Sequence, residues 1–441
     1  MRHPLRTALG IGLLLALTAT ACGSDGDSAD PDHTGVSAPP SETATGSSEP
    51  HVSATGVAGG DTVAASAFGM HVNRIAPANW PTAAIGSIRI WNTDSTWGAV
   101  EPTPGNWSFG DLDQRLAQAE ALNASVILVL GMPPAWAATR PDLKGYGGSP
   151  SPPRDLDAWR TYVTEVATRY KGRIDAYEVW NEPNLIQFFV GTPEDLASMT
   201  RAASESVRAV DPAAKIVSSG FSARTQGAED YFKAYVGAGI ADAVDVVGIH
   251  IYPYPGFGPE SMVALAATFR SLADAAGMAE KPMWNTEIGY GRSPDFVFSG
   301  PTAASLILRT YLVLPAFGLD RNYWYAWDDR KFVGLYLVDA DFRTPNDAAA
   351  AYALAERWLV GSTIQSCAHA GTVWTCAVII DGTAVQIAWS LGGDVDYTPP
   401  AGTTIGYTFT GAAAPVAAGG IARLGELPVL FAPHELPTIA G

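Results

Sequence analysis

Residues 176–184, AYEVWNEPN, decide the fold. An apolar run typical of a buried strand ends there in an Asn-Glu pair, and Pro183 stops the strand. Trp180 and Pro183 place apolar bulk around the pair, which does not suit a charged strand end in solvent. A carboxylate with an amide beside it, at the carboxyl end of a strand, is what an acid/base site on a barrel requires. We therefore expect Asn181 and Glu182 to lie at the mouth of a barrel.

From residue 64 onward, short apolar runs alternate with amphipathic segments, a pattern that predicts βα units and a parallel sheet. Eight strands over roughly 295 residues match the size of a (β/α)8 TIM barrel. A doubly wound open sheet is the alternative, and the lack of a Gly-rich turn after the first run disfavours it. The predicted strands are 65–70, 87–91, 125–131, 173–180, 215–219, 244–251, 282–287 and 322–327. The predicted helices are 111–120, 155–170, 193–210, 301–317 and 346–359.

After Leu359 the helical period disappears, and the chain alternates or runs apolar between Gly-rich turns. The runs at 372–381, 383–390, 402–410 and 428–432 predict a small β-sandwich-like domain at 361–441, after a barrel at 61–360. Cys367 and Cys376 flank a plausible hairpin turn, and an exported chain would allow them to form a disulfide. Two free buried thiols are the alternative.

The N-terminus has the pattern of an export signal. Arg2 and Arg6 precede an apolar run at 8–17 that is too short to span a membrane. Residues 19–22, ATAC, resemble a bacterial lipoprotein cleavage box, in which Cys22 carries the lipid; a plain secretory signal is the alternative. Residues 23–60 contain almost no large apolar side chain and predict a flexible tether. We expect an extracellular monomer that is lipid-anchored to the cell membrane.

The amino-acid composition indicates which kinds of partner the protein can bind. The formal charge of −17 would repel a phosphate backbone, so nucleic acid is not expected as a partner. Thirteen Trp and sixteen Tyr exceed what a core needs, and flat aromatic faces suit pyranose rings. Neither a metal-ligating cluster nor a phosphate-binding loop stands out in the sequence, so neither a metal nor a cofactor is predicted.

A second carboxylate accompanies Glu182. Glu287 ends the seventh predicted strand, within MWNTEIG at 283–289. Strands four and seven of a barrel face each other across the mouth, and two carboxylates in an aromatic cleft are typical of glycoside hydrolysis. One carboxyl group must stay protonated to serve the leaving oxygen, and the other must stay ionised to attack the anomeric carbon.

These motifs resemble the clan A glycoside hydrolases, and within the clan the chain is most similar to family 39. The resemblance covers about residues 66–358 of the barrel. It rests on WGAVEP at 97–102, PPAWA at 133–137, EVWNEPN at 178–184, GIHIY at 248–252 and TEIG at 286–289. Families 5 and 10 share much of this pattern. The C-terminal domain is smaller than in the β-xylosidases of family 39, so that substrate does not follow directly.

The resemblance implies a role for each matching residue. Glu182 would be general acid and then general base, and Glu287 would be the nucleophile of a retaining double displacement. Asn181 would donate to the sugar 2-hydroxyl, and Tyr252 would hold the nucleophile carboxylate. The remaining residues would support or line the sugar site: Arg89, by keeping Glu287 ionised, and His250, His71, Trp136, Trp324 and Trp327.

Several of these residues have a second interpretation. His71 fits a satisfied core histidine equally well, and Arg89 could pair with Glu178 instead. Glu178 has the same strand parity as Glu182, but it lies deeper, where substrate cannot reach. Only one of Trp324 and Trp327 can face the cleft, because their spacing is odd. Three acidic residues near loop ends either bind sugar hydroxyls or are solvated: Glu101, Asp328 and Asp329.

The function that these features favour is a retaining glycosidase that degrades an extracellular oligosaccharide or polysaccharide. A non-catalytic glycan-binding surface lipoprotein on a decayed hydrolase barrel is the alternative, and the presence of both carboxylates disfavours it. A solute-binding protein for an importer would need two α/β lobes instead of eight repeating units.

Overall fold

The computed structural model describes residues 62–291, 296–437 and 439, and a parallel eight-stranded barrel forms its centre. The signal, Cys22 and the tether lie outside the described residues. The strands are β1 Phe68–Met70, β2 Ser87–Ile90, β3 Ser125–Leu130, β4 Ala176–Val179, β5 Lys215–Val217, β6 Val247–His250, β7 Met283–Ile288 and β8 Leu319–Trp324. Their order is β5-β4-β3-β2-β1-β8-β7-β6, and the parallel bridges Val217–Val246 and Ser222–His250 join the two ends. The TIM-barrel prediction is therefore confirmed, and the open doubly wound sheet is excluded.

All eight predicted strands exist, but most are shorter than the apolar runs that predicted them. Residues Ala65–Ala67 form a turn of 3-10 helix before β1, and a turn delays the start of β4 to Ala176. The eighth strand lies three residues earlier than predicted and ends at Trp324. Apolar runs overestimate strand length here because barrel loops are also packed against the core.

Eight helices lie among the described residues, and none of them is both long and apolar enough to cross a membrane. Side-chain caps fix several starts: Asp155 caps α3, a Thr192–Asp195 capping box opens α4, and Asn346 caps α8. The unpredicted α5 and α6 have no side-chain cap, and the predicted α2 and α7 lack one as well. The helices are α1 Trp97–Val100, α2 Gly110–Ala121, α3 Leu156–Arg169, α4 Pro193–Val210, α5 Ala228–Gly237, α6 Val263–Ala275, α7 Gly300–Ala316 and α8 Asp347–Leu359.

The barrel interior is closed below the mouth by its own packed layer. Six buried residues from around the barrel form this layer: Ile127, Ala176, Val217, Val246, Trp284 and Tyr323. At its base, the guanidinium of Arg321 lies 4.0 Å from the centre of the Trp284 ring and 2.8 Å from Asp175. Because this plug blocks the amino end, polar chemistry is confined to the carboxyl ends of the strands.

The C-terminal part is an antiparallel β domain, as predicted. A six-stranded sheet runs in the order β14-β13-β16-β11-β10-β9, and β12 pairs with β15 in a second, two-stranded sheet. The first strand of the domain and three short ones were not predicted. The strands are β9 Thr363–Ala370, β10 Val373–Ile380, β11 Thr383–Ser390, β12 Val395–Tyr397, β13 Ile405–Tyr407, β14 Ala413–Pro415, β15 Ala422–Leu424 and β16 Val429–Ala432.

The β domain contacts the barrel through polar groups on two sides. The indole of Trp389 in β11 donates to Glu260 Oε1 over 2.9 Å, and Arg309 of α7 lies 3.4 Å from the same oxygen. Glu260 belongs to the segment that follows β6, only eight residues after Tyr252. On α7, Ser305 donates to the carbonyl of Glu426. The β domain therefore rests against the segment that follows β6 as well as against a barrel helix.

Cys367 and Cys376 form a disulfide between directly paired positions of β9 and β10. We expect replacement of both residues by alanine to lower the free energy of unfolding by about 2–3 kcal/mol, because the short closed loop restricts the unfolded chain. Urea unfolding of the two proteins measures this difference. Thiol titration of unfolded, unreduced protein provides the control: reaction of both residues in the wild type would contradict the bridge.

Candidate active site

The backbone around Glu182 leaves the strand in an uncommon conformation. Trp180 and Glu182 have φ angles of 70° and 42°, in the left-handed region that costs non-glycine residues of the order of 1–3 kcal/mol. The Trp180 indole donates to the carbonyl of Phe188, and the Glu182 amide donates to the carbonyl of Gly220. These contacts hold the turn that places the Glu182 side chain at the mouth.

Glu182 is 7% exposed, and its Oε1 lies 3.1 Å from Nδ1 of His250, the last residue of β6. Glu287 in β7 is 9% exposed and has two partners. The Tyr252 hydroxyl donates to Glu287 Oε1 over 2.8 Å, and Arg89 Nη1 donates to Oε2 over 3.1 Å. Each carboxylate thus has fixed partners and a small open face.

The two carboxylates lie close together. One oxygen of Glu182, one of Glu287 and a ring nitrogen of His250 all lie within 4.8 Å of one another. Carboxyl groups about 5–5.5 Å apart are typical of retaining glycosidases, and inverting enzymes need roughly 6.5–9.5 Å for an intervening water. The arrangement therefore suits direct attack by one carboxylate on a sugar that the other protonates.

Arg89 connects the predicted sugar contact to the nucleophile position. Besides its bond to Glu287, it donates to Asn181 Oδ1 over 2.8 Å and forms two bonds, of 2.6 and 3.1 Å, to Glu178. Because Asn181 Oδ1 is engaged, the amide nitrogen is the group that remains to donate to a substrate hydroxyl. Both interpretations of Arg89 hold at once, since it pairs with Glu287 and with Glu178.

Burial and charge set the protonation of the site. Burial raises the pKa of Glu287, and the charge of Glu182 adds to this, while His250, Arg89 and the Tyr252 hydroxyl act in the opposite direction. Burial alone would lower the pKa of His250, but the neighbouring carboxylates Glu287, Glu178 and Glu182 raise it to about 9. His250 is therefore a cation at neutral pH, next to Glu182.

Replacing Tyr252 by phenylalanine should shift the pH profile. The hydroxyl stabilises ionised Glu287, so its loss raises the pKa of Glu287 further and moves the acidic limb of kcat/KM to higher pH. A hydrogen bond to a charged group is worth roughly 10- to 100-fold in kcat/KM at neutral pH. Tyr254→Phe in the same loop is the control. An unmoved acidic limb in Tyr252→Phe would contradict this role.

His71 and Trp136 lie near the mouth but are held by the protein itself. His71 is 1% exposed, its Nε2 lies 3.1 Å from the carbonyl of Thr286, and burial lowers its pKa well below the ordinary value. His71 is therefore a neutral residue that contacts the backbone of β7. Trp136 is half-buried; its indole donates to the carbonyl of Glu101, and its ring meets Trp97 edge to face.

The expectation for Trp324 and Trp327 needs correction, because neither ring is more than 1% exposed. The odd-spacing argument assumed a strand through residue 327, but β8 ends at Trp324 and the chain turns there. Tyr325 between them is partly exposed and lies against His71, with ring centres 5.2 Å apart. It is the aromatic residue of this segment that can meet a sugar.

Tyr146 is a second aromatic residue that the sequence did not single out. It comes from the loop between β3 and α3, is partly exposed, and stacks on Trp91 with ring centres 5.1 Å apart. Its position in a Gly-rich loop gives no periodic signal.

The three acidic residues that were left open turn out to be neither solvated nor free, since each accepts hydrogen bonds within the protein: Glu101 from Trp97 and Gly105, Asp328 from Asn73 and Arg74, and Asp329 from Lys331, Phe332 and Val333.

Among the described residues, the trio Glu182, His250 and Glu287 has the spacing of a metal-ligand set. The donor set does not favour a cation, however. The guanidinium of Arg89 already lies 3.1 Å from Glu287, so a second cation there would be repelled. The positive charge that the carboxylates require is supplied by side chains.

With its barrel and its paired carboxylates after β4 and at the end of β7, this chain is similar to the clan A glycoside hydrolases. Within the clan it is most like family 39, since the model of "Glycosyl hydrolases family 39" matches residues 105–312.

A curated relative, a β-xylosidase of Geobacillus stearothermophilus, is 27% identical over 115 residues, which are 24% of this chain and 23% of that protein. The chain thus aligns with about a quarter of the length of that relative. Two solved structures share the fold. A family 39 glycoside hydrolase from Bacteroides cellulosilyticus WH2 has a TM-score of 0.66 at 19% identity and covers 83% of this chain and 80% of that one. A monomeric β-xylosidase from Caulobacter crescentus CB15 has a TM-score of 0.62 at 14% identity and covers 86% and 97%.

Proposed function

We propose that the protein is a retaining glycoside hydrolase in which Glu287 is the nucleophile and Glu182 is the acid/base. The observation that carries the proposal is the spacing of these carboxylates, whose nearer oxygens lie within 4.8 Å of each other. In the first step a Glu287 oxygen bonds to the anomeric carbon while Glu182 gives its proton to the departing oxygen. In the second step Glu182 accepts a proton from water, and the water oxygen bonds to the anomeric carbon. The bond between that carbon and Glu287 breaks, and Glu287 leaves as a carboxylate.

The stereochemistry of the first-formed product tests this proposal. Aryl glycosides are screened first, beginning with β-xylosides because two curated relatives are named β-xylosidases. NMR of a fresh digest should then show the anomer of the substrate before mutarotation. Inverted product would refute the nucleophile role of Glu287. Binding of oligosaccharides without turnover of any substrate would favour the alternative, a non-catalytic glycan-binding protein.

We further infer that the enzyme is exported and lipid-anchored, and that it acts on extracellular oligosaccharides or polysaccharides as a monomer. The support is the charged and apolar N-terminal pattern that ends at Cys22, together with one structural neighbour that is described as monomeric. Mass spectrometry of protein from native membranes should find a diacylglyceryl group on Cys22. An unmodified N-terminus beyond residue 22 would contradict the anchor and leave a plain secreted enzyme.

A further inference from the structure

Glu178 is fully buried in β4, one turn of the pleat below the mouth, and substrate cannot reach it. Its Oε2 accepts from Arg89 Nε over 2.6 Å. Its Oε1 accepts from Arg89 Nη2, from the Thr286 hydroxyl and from the Gly220 amide, over 3.1, 3.0 and 3.0 Å. Nε2 of His250 faces the same oxygen at 3.8 Å. All of these contacts to the Glu178 carboxylate come from donors or cations.

Each of these partners also contacts a residue of the proposed reaction. Arg89 donates to Glu287 and Asn181, and Nδ1 of His250 lies 3.1 Å from Glu182. The Gly220 carbonyl accepts from the Glu182 amide, and its own amide donates to Glu178, so that glycine contacts both acidic residues. A Cβ on Gly220 would lie 2.2 Å from His250 Nε2 and 2.6 Å from Glu178 Oε1, so only glycine fits between them. Glu178 is thus connected to Glu287 through Arg89 and to Glu182 through His250.

The buried charges around Glu178 sum to zero before and after the first step of the proposed reaction. Arg89 and His250 carry two positive charges; with Glu182 protonated, Glu178 and Glu287 carry two negative ones. When Glu182 gives up its proton and Glu287 becomes a neutral ester, the negative charges reside on Glu178 and Glu182, and the sum is still zero. Without Glu178 the buried site would carry an uncompensated positive charge in both states, which is costly where water is excluded.

We propose that Glu178 is a positioning residue that never meets the sugar, holds Arg89 and His250 beneath the two reacting carboxylates, and balances their charge through both steps. This inference rests on the proposed function for the identity of the reaction, but not for the contacts. The groups that face Glu178 come from four parts of the barrel: Arg89 from β2, Thr286 from β7, His250 from β6, and Gly220 after β5.

Glu178→Gln tests the role, because it keeps the shape and removes the charge. We expect kcat to fall at least about 100-fold with little change in KM, as for loss of one fixed donor in an active site. By NMR of the imidazole nitrogens, His250 should stay protonated up to about pH 9 in the wild type and lose its proton at a lower pH in the variant. Asp175→Asn is the matched control, since it removes an arginine-paired carboxylate before the same strand at the opposite end of the barrel. Wild-type kcat together with an unchanged His250 titration in Glu178→Gln would overturn the proposal.

If Glu178→Gln does not fold, Glu178→Asp replaces it. The shorter side chain keeps the charge but cannot maintain both bonds to Arg89, so His250 should remain protonated while kcat falls at least about tenfold. A wild-type kcat in Glu178→Asp would equally overturn the role. If the wild type hydrolyses no glycoside, the proposed function fails, but the His250 titration still decides whether Glu178 supplies the balancing charge.

Discussion

Glu287→Ala should lose essentially all turnover, on the order of 10⁶-fold in kcat if loss of a covalent nucleophile here costs what it does in other enzymes. The reason is that no other described carboxylate can take its place. Glu178 is buried below it, and Glu182 is needed as the acid. Initial rates with an activated aryl glycoside, together with a burst measurement, determine the loss.

Added azide distinguishes this role from simple damage to the site. In Glu287→Ala, azide can enter the space of the missing carboxylate and attack the anomeric carbon directly, so activity should return as a glycosyl azide of inverted configuration. Glu205→Ala, the same change on an exposed position of α4, is the control for handling and folding. An azide product with the substrate's configuration would reject Glu287 as the nucleophile.

Glu182→Ala should give a loss that depends on the leaving group. General acid assistance typically contributes 10²- to 10⁴-fold, so glycosides with poor leaving groups should slow by about this factor. Activated aryl glycosides need little proton donation and should form the glycosyl-enzyme at near-normal rates. Comparison of kcat/KM across a series of leaving groups measures the difference as a steeper dependence on leaving-group pKa.

The second step in Glu182→Ala also lacks its base, so the glycosyl-enzyme should accumulate with activated substrates. Azide needs no base and should release it as a glycosyl azide with the substrate's configuration. The same Glu205→Ala protein is a suitable reference. Equal losses on good and poor leaving groups, with no accumulation, would show that Glu182 is not the acid/base.

The sequence sufficed to predict the barrel because eight apolar runs and their spacing follow directly from packing a parallel sheet on both faces. It also sufficed to place Glu182 and Glu287 at the mouth, since strand order alone brings the ends of β4 and β7 together. The first and last residues of each strand were less predictable, because an apolar residue in a packed loop cannot be distinguished by sequence from one in a strand. Trp324 and Trp327 illustrate this: both are buried, but a turn after β8 brings Tyr325 outward instead.

The contacts beneath the mouth could not be predicted from spacing. Glu178 was recognised as too deep for catalysis, but its bonds to Arg89, Thr286 and Gly220 depend on how four different elements meet. The raised pKa of His250 likewise depends on carboxylates that are 37 to 72 residues away in the chain. Long-range electrostatics of this kind leaves no local pattern of residue types.

The contact between Trp389 and Glu260 has a consequence for how such a chain can change over evolutionary time. The segment that holds Glu260 starts beside Tyr252, so the loop next to the proposed sugar site is also the surface that Trp389 of β11 contacts. A substitution that alters the loop for a new substrate must still fit the indole and Arg309. The barrel and the appended sheet are therefore expected to diversify together, and exchanging the β domain between relatives should disturb substrate preference before it disturbs the chemistry.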